Sequence, residues 1–146
     1  MHEISTISQH DFQPKVWGEG IAKSQSHWFW LTYTERVVYK YDLDFNLVEE
    51  LPLPSEMDQG WGLTSDDTWL YATDGSEKIY KIDPEDFTVV DAIPVYVENK
   101  EGKHPCLMIN EIQMVDGQIY ANVLTYNYII RIDPSTGVVT RQYNMQ

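Results

Sequence analysis

The stretch QIYANVLTYNYIIRIDPSTGVV, residues 118–139, is the third version of one sequence pattern. The same pattern occurs earlier as WLYATDGSEKIYKIDPEDFTVV at residues 69–90 and as WFWLTYTERVVYKYDLDFNLVE at residues 28–49. Each copy contains a stretch rich in β-branched and aromatic residues, then a turn, then a second stretch of the same kind. Because apolar residues alternate with a period near two on both sides of the turn, each copy is interpreted as an antiparallel β-hairpin.

The spacing of the copies indicates the architecture. Alignment on Asp42, Asp83 and Asp133 gives spacings of about 41 and 50 residues, which is the range expected for blades of a β-propeller. Two more strand-like pieces precede each hairpin, and four strands in sequence make one blade. No amphipathic helix is indicated, so the predicted class is all-β.

The predicted organisation is a single partial β-propeller domain over residues 1–146. The blades are expected at about 17–54, 60–95 and 109–146, and residues 1–16 are interpreted as an outer strand of a preceding blade. The polar segment 99–105 is expected to be a loop between blades. A propeller closes with about four to eight blades, so three blades leave two faces uncovered. This favours pairing with another chain, or instability.

Composition excludes some partners. The chain has 146 residues, 42% of them hydrophobic, and a net charge of −13 with a pI near 4.4. Such a charge argues against binding to nucleic acid or to an anionic membrane. No signal peptide and no apolar run of about 18 residues is present, so the chain is expected to be soluble and, by default, cytoplasmic.

Metal and thiol chemistry are not indicated. Cys106 is the single cysteine and is interpreted as a small apolar residue. The four histidines are scattered, without the close spacing of a zinc site: His2, His10, His27 and His104.

Candidate site residues follow from the register of the repeat. The first strand of each blade lines the central channel of a propeller, and equivalent places at its start hold Glu19, Trp61 and Asn110. A second equivalent place, nine residues before each anchoring aspartate, holds Tyr33, Asp74 and Leu124. Together these sets predict a partly aromatic pocket for a small molecule.

Blade packing is an alternative reading for these positions, because repeat proteins reuse glycines and aromatic residues at fixed places. It is open for Trp61 in particular. It fits Glu19 less well, since a carboxylate between glycines packs poorly and loses hydration at a cost.

At these positions the sequence resembles the plant and bacterial glutaminyl cyclases, or glutamine cyclotransferases, which are five-bladed β-propellers. The resemblance lies in WGEGI at residues 17–21, GWGLTSDD at 60–67, ATDG at 72–75 and INEIQMVDGQIYANV at 109–123. It implies a glutaminyl-peptide cyclotransferase, which converts the N-terminal glutamine of a peptide or protein to pyroglutamate and releases ammonia. It also implies that no metal or other cofactor is needed.

The resemblance also assigns roles. Glu19 matches the carboxylate that transfers protons, and Asn110 matches the amide that polarises the substrate. Trp61 matches a pocket tryptophan and Trp17 a pocket phenylalanine.

Departures from the family pattern leave two functions open. Leu124 and Tyr33 stand where the family has tryptophans, and the family's Phe-x-Gln-Gly segment and active-site lysine have no counterpart, so the resemblance is truncated at both ends. One hypothesis is the cyclotransferase, present as a fragment, a truncated gene product or one piece of a split enzyme. The other is a noncatalytic propeller relative that acts as a binding or structural subunit, or an inactive fragment of the enzyme.

Overall fold

The computed structural model describes residues 15–145, and every regular secondary-structure element in this range is a β-strand. The first sheet contains β1 (Gly18–Lys23), β2 (Trp28–Thr32), β3 (Val37–Tyr41) and β4 (Leu47–Pro52). The second contains β5 (Leu63–Ser65), β6 (Leu70–Ala72), β7 (Lys78–Ile82) and β8 (Val89–Pro94). A hairpin of β9 (Tyr96–Asn99) and β10 (Gly102–Pro105) follows. The third sheet contains β11 (Ile109–Val115), β12 (Gln118–Val123), β13 (Tyr128–Ile132) and β14 (Val139–Asn144).

Each four-stranded sheet is an antiparallel meander in which neighbours in sequence are neighbours in the sheet. The predicted all-β class, with four-stranded antiparallel blades, is confirmed. No helix long and apolar enough to cross a membrane is found in the described part of the chain.

The aspartates that align the repeat form the turns between the third and fourth strands. Oδ1 of Asp42 accepts the backbone N–H of Asp44 at 2.9 Å, and Oδ1 of Asp83 accepts that of Glu85 at 2.8 Å. Asp133 makes the equivalent bond in the third sheet. These are Asx turns, in which the carboxylate replaces a backbone acceptor and fixes where the chain reverses.

Two hydrophobic cores hold the three sheets together. One is made by side chains of the first and second sheets, and in it the rings of Phe29 and Phe87 stack with centroids 5.6 Å apart. The other is made by the second and third sheets and includes Ile79, Ile112 and Ile130. The middle sheet therefore packs on both of its faces, as an internal blade of a propeller does.

The expectation of a loop at residues 99–105 is wrong. Most of this segment belongs to the β9–β10 hairpin, whose turn lies between Asn99 and Gly102. Its side chains are almost all exposed, so polar residues are tolerated in strands that contribute little to a core. Lys103 stabilises the hairpin, with Nζ 4.1 Å from the centroid of the Tyr96 ring and donating to its hydroxyl.

The outer strand predicted for residues 1–16 falls almost entirely outside the described residues. Of that segment the structure describes Lys15 and Val16, and neither is in a strand.

Candidate active site

A β-bulge turns Glu19 out of the regular pleat of β1. Gly18 pairs with Thr32 and Ile21 pairs with Trp30, so Glu19 and Gly20 together face a single residue of β2. Bulges of this kind redirect side chains and are frequent beside active sites. Glu19 is half-buried.

The same irregularity occurs at Asn110. Ile109 pairs with Val123 and Ile112 pairs with Ala121, so Asn110 and Glu111 together face Asn122. The backbone N–H of Glu111 has no ladder partner in this arrangement and instead donates to Oδ1 of Asn122 at 2.9 Å. The repeat thus provides the same backbone device twice, once for a carboxylate and once for an amide.

Trp61 lies at the corresponding place in the second sheet, just before β5. Its backbone N–H donates to the carbonyl of Thr73 at 3.0 Å, and the N–H of Gly62 donates to the Thr73 hydroxyl at 2.8 Å. Thr73 is fully buried. Its hydroxyl accepts the Gly62 N–H, just as the side-chain oxygen of Asn122 accepts the Glu111 N–H.

The three first strands lie side by side, with β5 between β1 and β11. Gly20 N–H donates to the carbonyl of Trp61 at 2.7 Å, and the Thr73 hydroxyl donates to the carbonyl of Asn110 at 2.7 Å. A Cβ on Gly62 would collide with that same Asn110 carbonyl, so this close approach requires glycine.

These contacts bring six of the seven sequence-predicted site residues together. They line one pocket of about 350 Å³: Trp17, Glu19, Tyr33, Trp61, Asn110 and Leu124. The volume is in the range of sites for small ligands, and the lining combines one carboxylate and one amide with aromatic and aliphatic surface.

Two neighbours hold the Trp61 indole in place. Its Nε1–H donates to Oε1 of Gln59 at 2.9 Å. Its ring lies against Gly75, whose φ is +83° and where a Cβ would come within 2.6 Å of the ring. Any other residue at 75 would be strained in the backbone and would displace the indole.

Backbone hydrogen bonds tie the aromatic side of the pocket together. Tyr33 N–H donates to the carbonyl of Trp17 at 2.9 Å, and Gly60 N–H donates to that of Tyr33 at 3.1 Å. Trp17 is 67% exposed and Leu124 is 38% exposed, so both belong to the open rim.

Asp74, the remaining member of the second equivalent set, does not line the pocket. Its carboxylate accepts the N–H groups of Asp58 and Ser76 and the hydroxyl of Tyr80. It therefore organises the loop after β6 and supports the connection from the first sheet.

Glu111 lies next to the site, and the pKa of its carboxyl is raised. Its Oε1 accepts the backbone N–H groups of Leu63 at 3.4 Å and Ile112 at 3.2 Å, although the side chain as a whole is exposed. Loss of hydration around the carboxyl raises its pKa, and the nearby charge of Glu19 adds to the increase.

A larger cleft of about 510 Å³ lies at the opposite end of the strands and is lined by turn residues. The side chain of Lys40 is buried there, and its Nζ donates to the carbonyl of Glu85 at 2.8 Å. This lysine links the first sheet to the β7–β8 turn. Unlike the 350 Å³ pocket, the cleft is not lined by aromatic side chains other than His27, so it is a weaker candidate for the site.

Among residues 15–145 no group of three or more histidine, cysteine or acidic side chains is arranged to hold a metal ion. Burial raises the pKa of the Cys106 thiol, which disfavours the reactive thiolate.

Sequence reasoning did not find Gln59, Thr73 or Asn122 as neighbours of the site. Each acts through hydrogen bonds to another residue, and no repeat position or residue type indicates which partner it has. The repeat pattern of the sequence does not predict the bulge opposite Asn122 either.

The fold and the pocket together define a class: a propeller-type repeat protein with a polar and aromatic pocket where its first strands meet. The chain belongs to the glutamine cyclotransferase family, whose sequence model matches residues 1–146. A glutaminyl-peptide cyclotransferase from Arabidopsis thaliana is 30% identical over 120 residues, which are 82% of this chain and 36% of that protein.

Solved structures agree. The crystal structure of Myxococcus xanthus glutaminyl cyclase superimposes with a TM-score of 0.79 and 26% identity, covering 90% of this chain and 54% of that one. The Pan2 WD40 domain of Neurospora crassa gives a TM-score of 0.58 at 14% identity over 87% of this chain and 36% of that one, which shows the fold alone. The chain thus spans about a third of the Arabidopsis protein and about half of the Myxococcus structure.

Proposed function

We propose that the protein is a glutaminyl-peptide cyclotransferase, acting on peptides or proteins with an N-terminal glutamine. The observation that supports this proposal is that Glu19 and Asn110 line the same pocket, together with aromatic side chains. Family membership supports it, since the related proteins are named for this activity.

The proposed chemistry moves protons and closes a ring. The α-amine of the substrate attacks the side-chain amide carbon of its glutamine, and the Glu19 carboxylate accepts the proton that the amine loses. The tetrahedral intermediate collapses when Glu19 returns that proton to the departing nitrogen, which leaves as ammonia. One carboxylate therefore serves as base and then as acid.

Asn110 stabilises the oxygen that becomes negative in the intermediate. Its Nδ2 donates a hydrogen bond, and removing one such donor typically costs about 10²- to 10³-fold in turnover. Because the attack is intramolecular, the pocket has mainly to hold the reactive conformer, and the side chains of Trp61 and Tyr33 supply surface for this, with Trp17 at the open rim.

The test is ammonia release from a glutaminyl peptide by the whole chain. Glu19→Gln keeps the size of the side chain and removes its basicity, so we expect turnover to fall at least about 10²-fold. Glu49→Gln, on the exposed outer strand β4, is the matched control and is expected to retain wild-type turnover. Circular dichroism of each variant checks the fold.

Two outcomes count against the proposal. Turnover that persists in Glu19→Gln contradicts the assigned mechanism. A folded wild-type chain that binds the peptide and releases no ammonia contradicts the activity and favours the binding subunit.

A further inference from the structure

The carboxamide of Asn110 has a side-chain partner that the proposed chemistry does not use. Asn110 Nδ2 lies 3.4 Å from Oδ1 of Asn122, which stands opposite it across the bulge. Asn122 is half-buried and does not line the pocket.

The backbone determines which atom of Asn122 faces Asn110. The N–H of Glu111 lies 2.9 Å from the same Asn122 atom, and a backbone N–H can only donate. That atom is therefore the carbonyl oxygen. An oxygen of Asn110 facing it would be repelled, so Asn110 must present its NH2 group.

We propose that Asn122 is a positioning residue, whose side-chain oxygen fixes the Asn110 carboxamide with its NH2 group toward the reacting centre. One N–H is held by Asn122, and the second remains for the oxygen that becomes negative. This role in turnover rests on the proposed function. The orientation itself does not, and it can be measured without substrate.

The second sheet offers a comparison that separates two roles of Asn122. Thr73 Oγ1 accepts the N–H of Gly62, just as Asn122 Oδ1 accepts that of Glu111. A threonine can thus satisfy a bulge N–H. Its oxygen is one bond closer to its own backbone than that of asparagine, so Asn122→Thr should keep the Glu111 bond and lose the Asn110 contact.

The backbone of Asn110 is already held from the other side. The Thr73 hydroxyl donates to the Asn110 carbonyl at 2.7 Å. With the main chain fixed, the remaining freedom of the carboxamide is rotation about its side-chain bonds. Asn122 restrains that rotation, which is what an oxyanion donor needs for preorganisation.

The experiment compares side-chain NH2 signals of Asn110 in ¹⁵N-labelled protein, assigned with Asn110→Asp. We expect the signals to move toward those of solvent-exposed asparagine in Asn122→Leu and Asn122→Thr. In Asn122→Asp, which keeps an acceptor oxygen at the same distance, they should stay displaced. Gln118→Leu, on the same strand and face of the sheet, is the control and should change nothing.

Turnover gives a second readout. We expect kcat to fall in Asn122→Leu and Asn122→Thr, by up to about 10²-fold, with little change in KM, and Asn122→Asp to recover much of the loss. If Asn122→Leu does not fold, Asn122→Thr and Asn122→Asp decide the question.

The outcomes are distinguishable. Asn110 signals that stay at the wild-type position in both Asn122→Leu and Asn122→Thr overturn the proposal, as does an Asn122→Asp spectrum that matches that of the leucine variant. The expected spectra in a protein that releases no ammonia uphold the orientation and count only against the proposed function.

Discussion

At the scale of single residues, Glu111 makes the folded protein sensitive to pH. Its carboxyl pKa is raised above its ordinary value, chiefly by lost hydration, so the folded state holds this proton more tightly than the unfolded chain does. The contribution of this proton to stability is fully present below the ordinary pKa. It is lost as pH rises through the raised pKa.

We therefore expect Glu111→Gln to gain stability relative to wild type as pH rises from about 4 to about 7. The glutamine oxygen can still accept the N–H groups of Leu63 and Ile112, so the variant removes the charge and keeps the bonds. Urea midpoints of both proteins at the two pH values measure the difference. Glu101→Gln, exposed on the β9–β10 turn, is the control, and a difference that is the same at both pH values contradicts the prediction.

Residue-level predictions from the sequence depended on register. The repeat placed Glu19, Trp61 and Asn110 at equivalent positions, and the structure puts their side chains in one pocket. The same register put Asp74 in a pocket set, and this was wrong. Its carboxylate instead accepts hydrogen bonds from the Ser76 N–H and the Tyr80 hydroxyl, and the spacing of the repeat does not indicate which donors a carboxylate finds.

At the scale of elements, Thr73 joins the second sheet to the third. Its hydroxyl accepts the buried Gly62 N–H and donates to the Asn110 carbonyl. Thr32 is equally buried, but both of its hydroxyl bonds go to Val37 within the β2–β3 hairpin. The two threonines therefore differ in what they connect.

We expect Thr73→Val and Thr32→Val each to lower the free energy of unfolding by about 1–3 kcal/mol, because each leaves buried polar groups unpaired. Only Thr73→Val should shift the backbone amide signals of Asn110 and Glu111. Urea unfolding and ¹⁵N–¹H spectra measure the two effects. Equal shifts of these signals in both variants would mean that the hydroxyl of Thr73 does not link the sheets.

The hairpins were predictable because Asp42, Asp83 and Asp133 place an Asx turn where the alternation of apolar residues breaks. The β9–β10 hairpin was not, because its strands lack buried residues and their composition is that of a turn. Surface strands that are held by backbone pairing alone do not need alternating apolar residues, so the sequence lacks the pattern from which a strand is predicted.

At the scale of the whole molecule, three sheets share two cores, and the middle sheet contributes to both. This arrangement follows from the repeat, since a blade buries its faces only against neighbouring blades. The expectation that uncovered blade faces pair with another chain stays a prediction, because sequence repeats show which faces need a partner and not which partner they have.

The net charge acts on the molecule as a whole. With 23 acidic and 10 basic side chains, repulsion among like charges opposes the compact state. Added salt screens this repulsion, since the Debye length falls from about 30 Å at 0.01 M to about 10 Å at 0.1 M. We therefore expect the melting temperature to rise with NaCl between about 0.01 and 0.3 M, by about 2–4 °C for each kcal/mol of repulsion removed.

Two variants of the β9–β10 turn test whether charge is the cause. Lys100→Gln makes the chain more negative and should steepen the dependence on NaCl, whereas Glu101→Gln makes it less negative and should flatten it. Both side chains are exposed, so neither change disturbs a core. Differential scanning calorimetry measures the slopes. A melting temperature that falls with NaCl would show that local attractive pairs outweigh the net repulsion, because screening weakens attraction and repulsion alike.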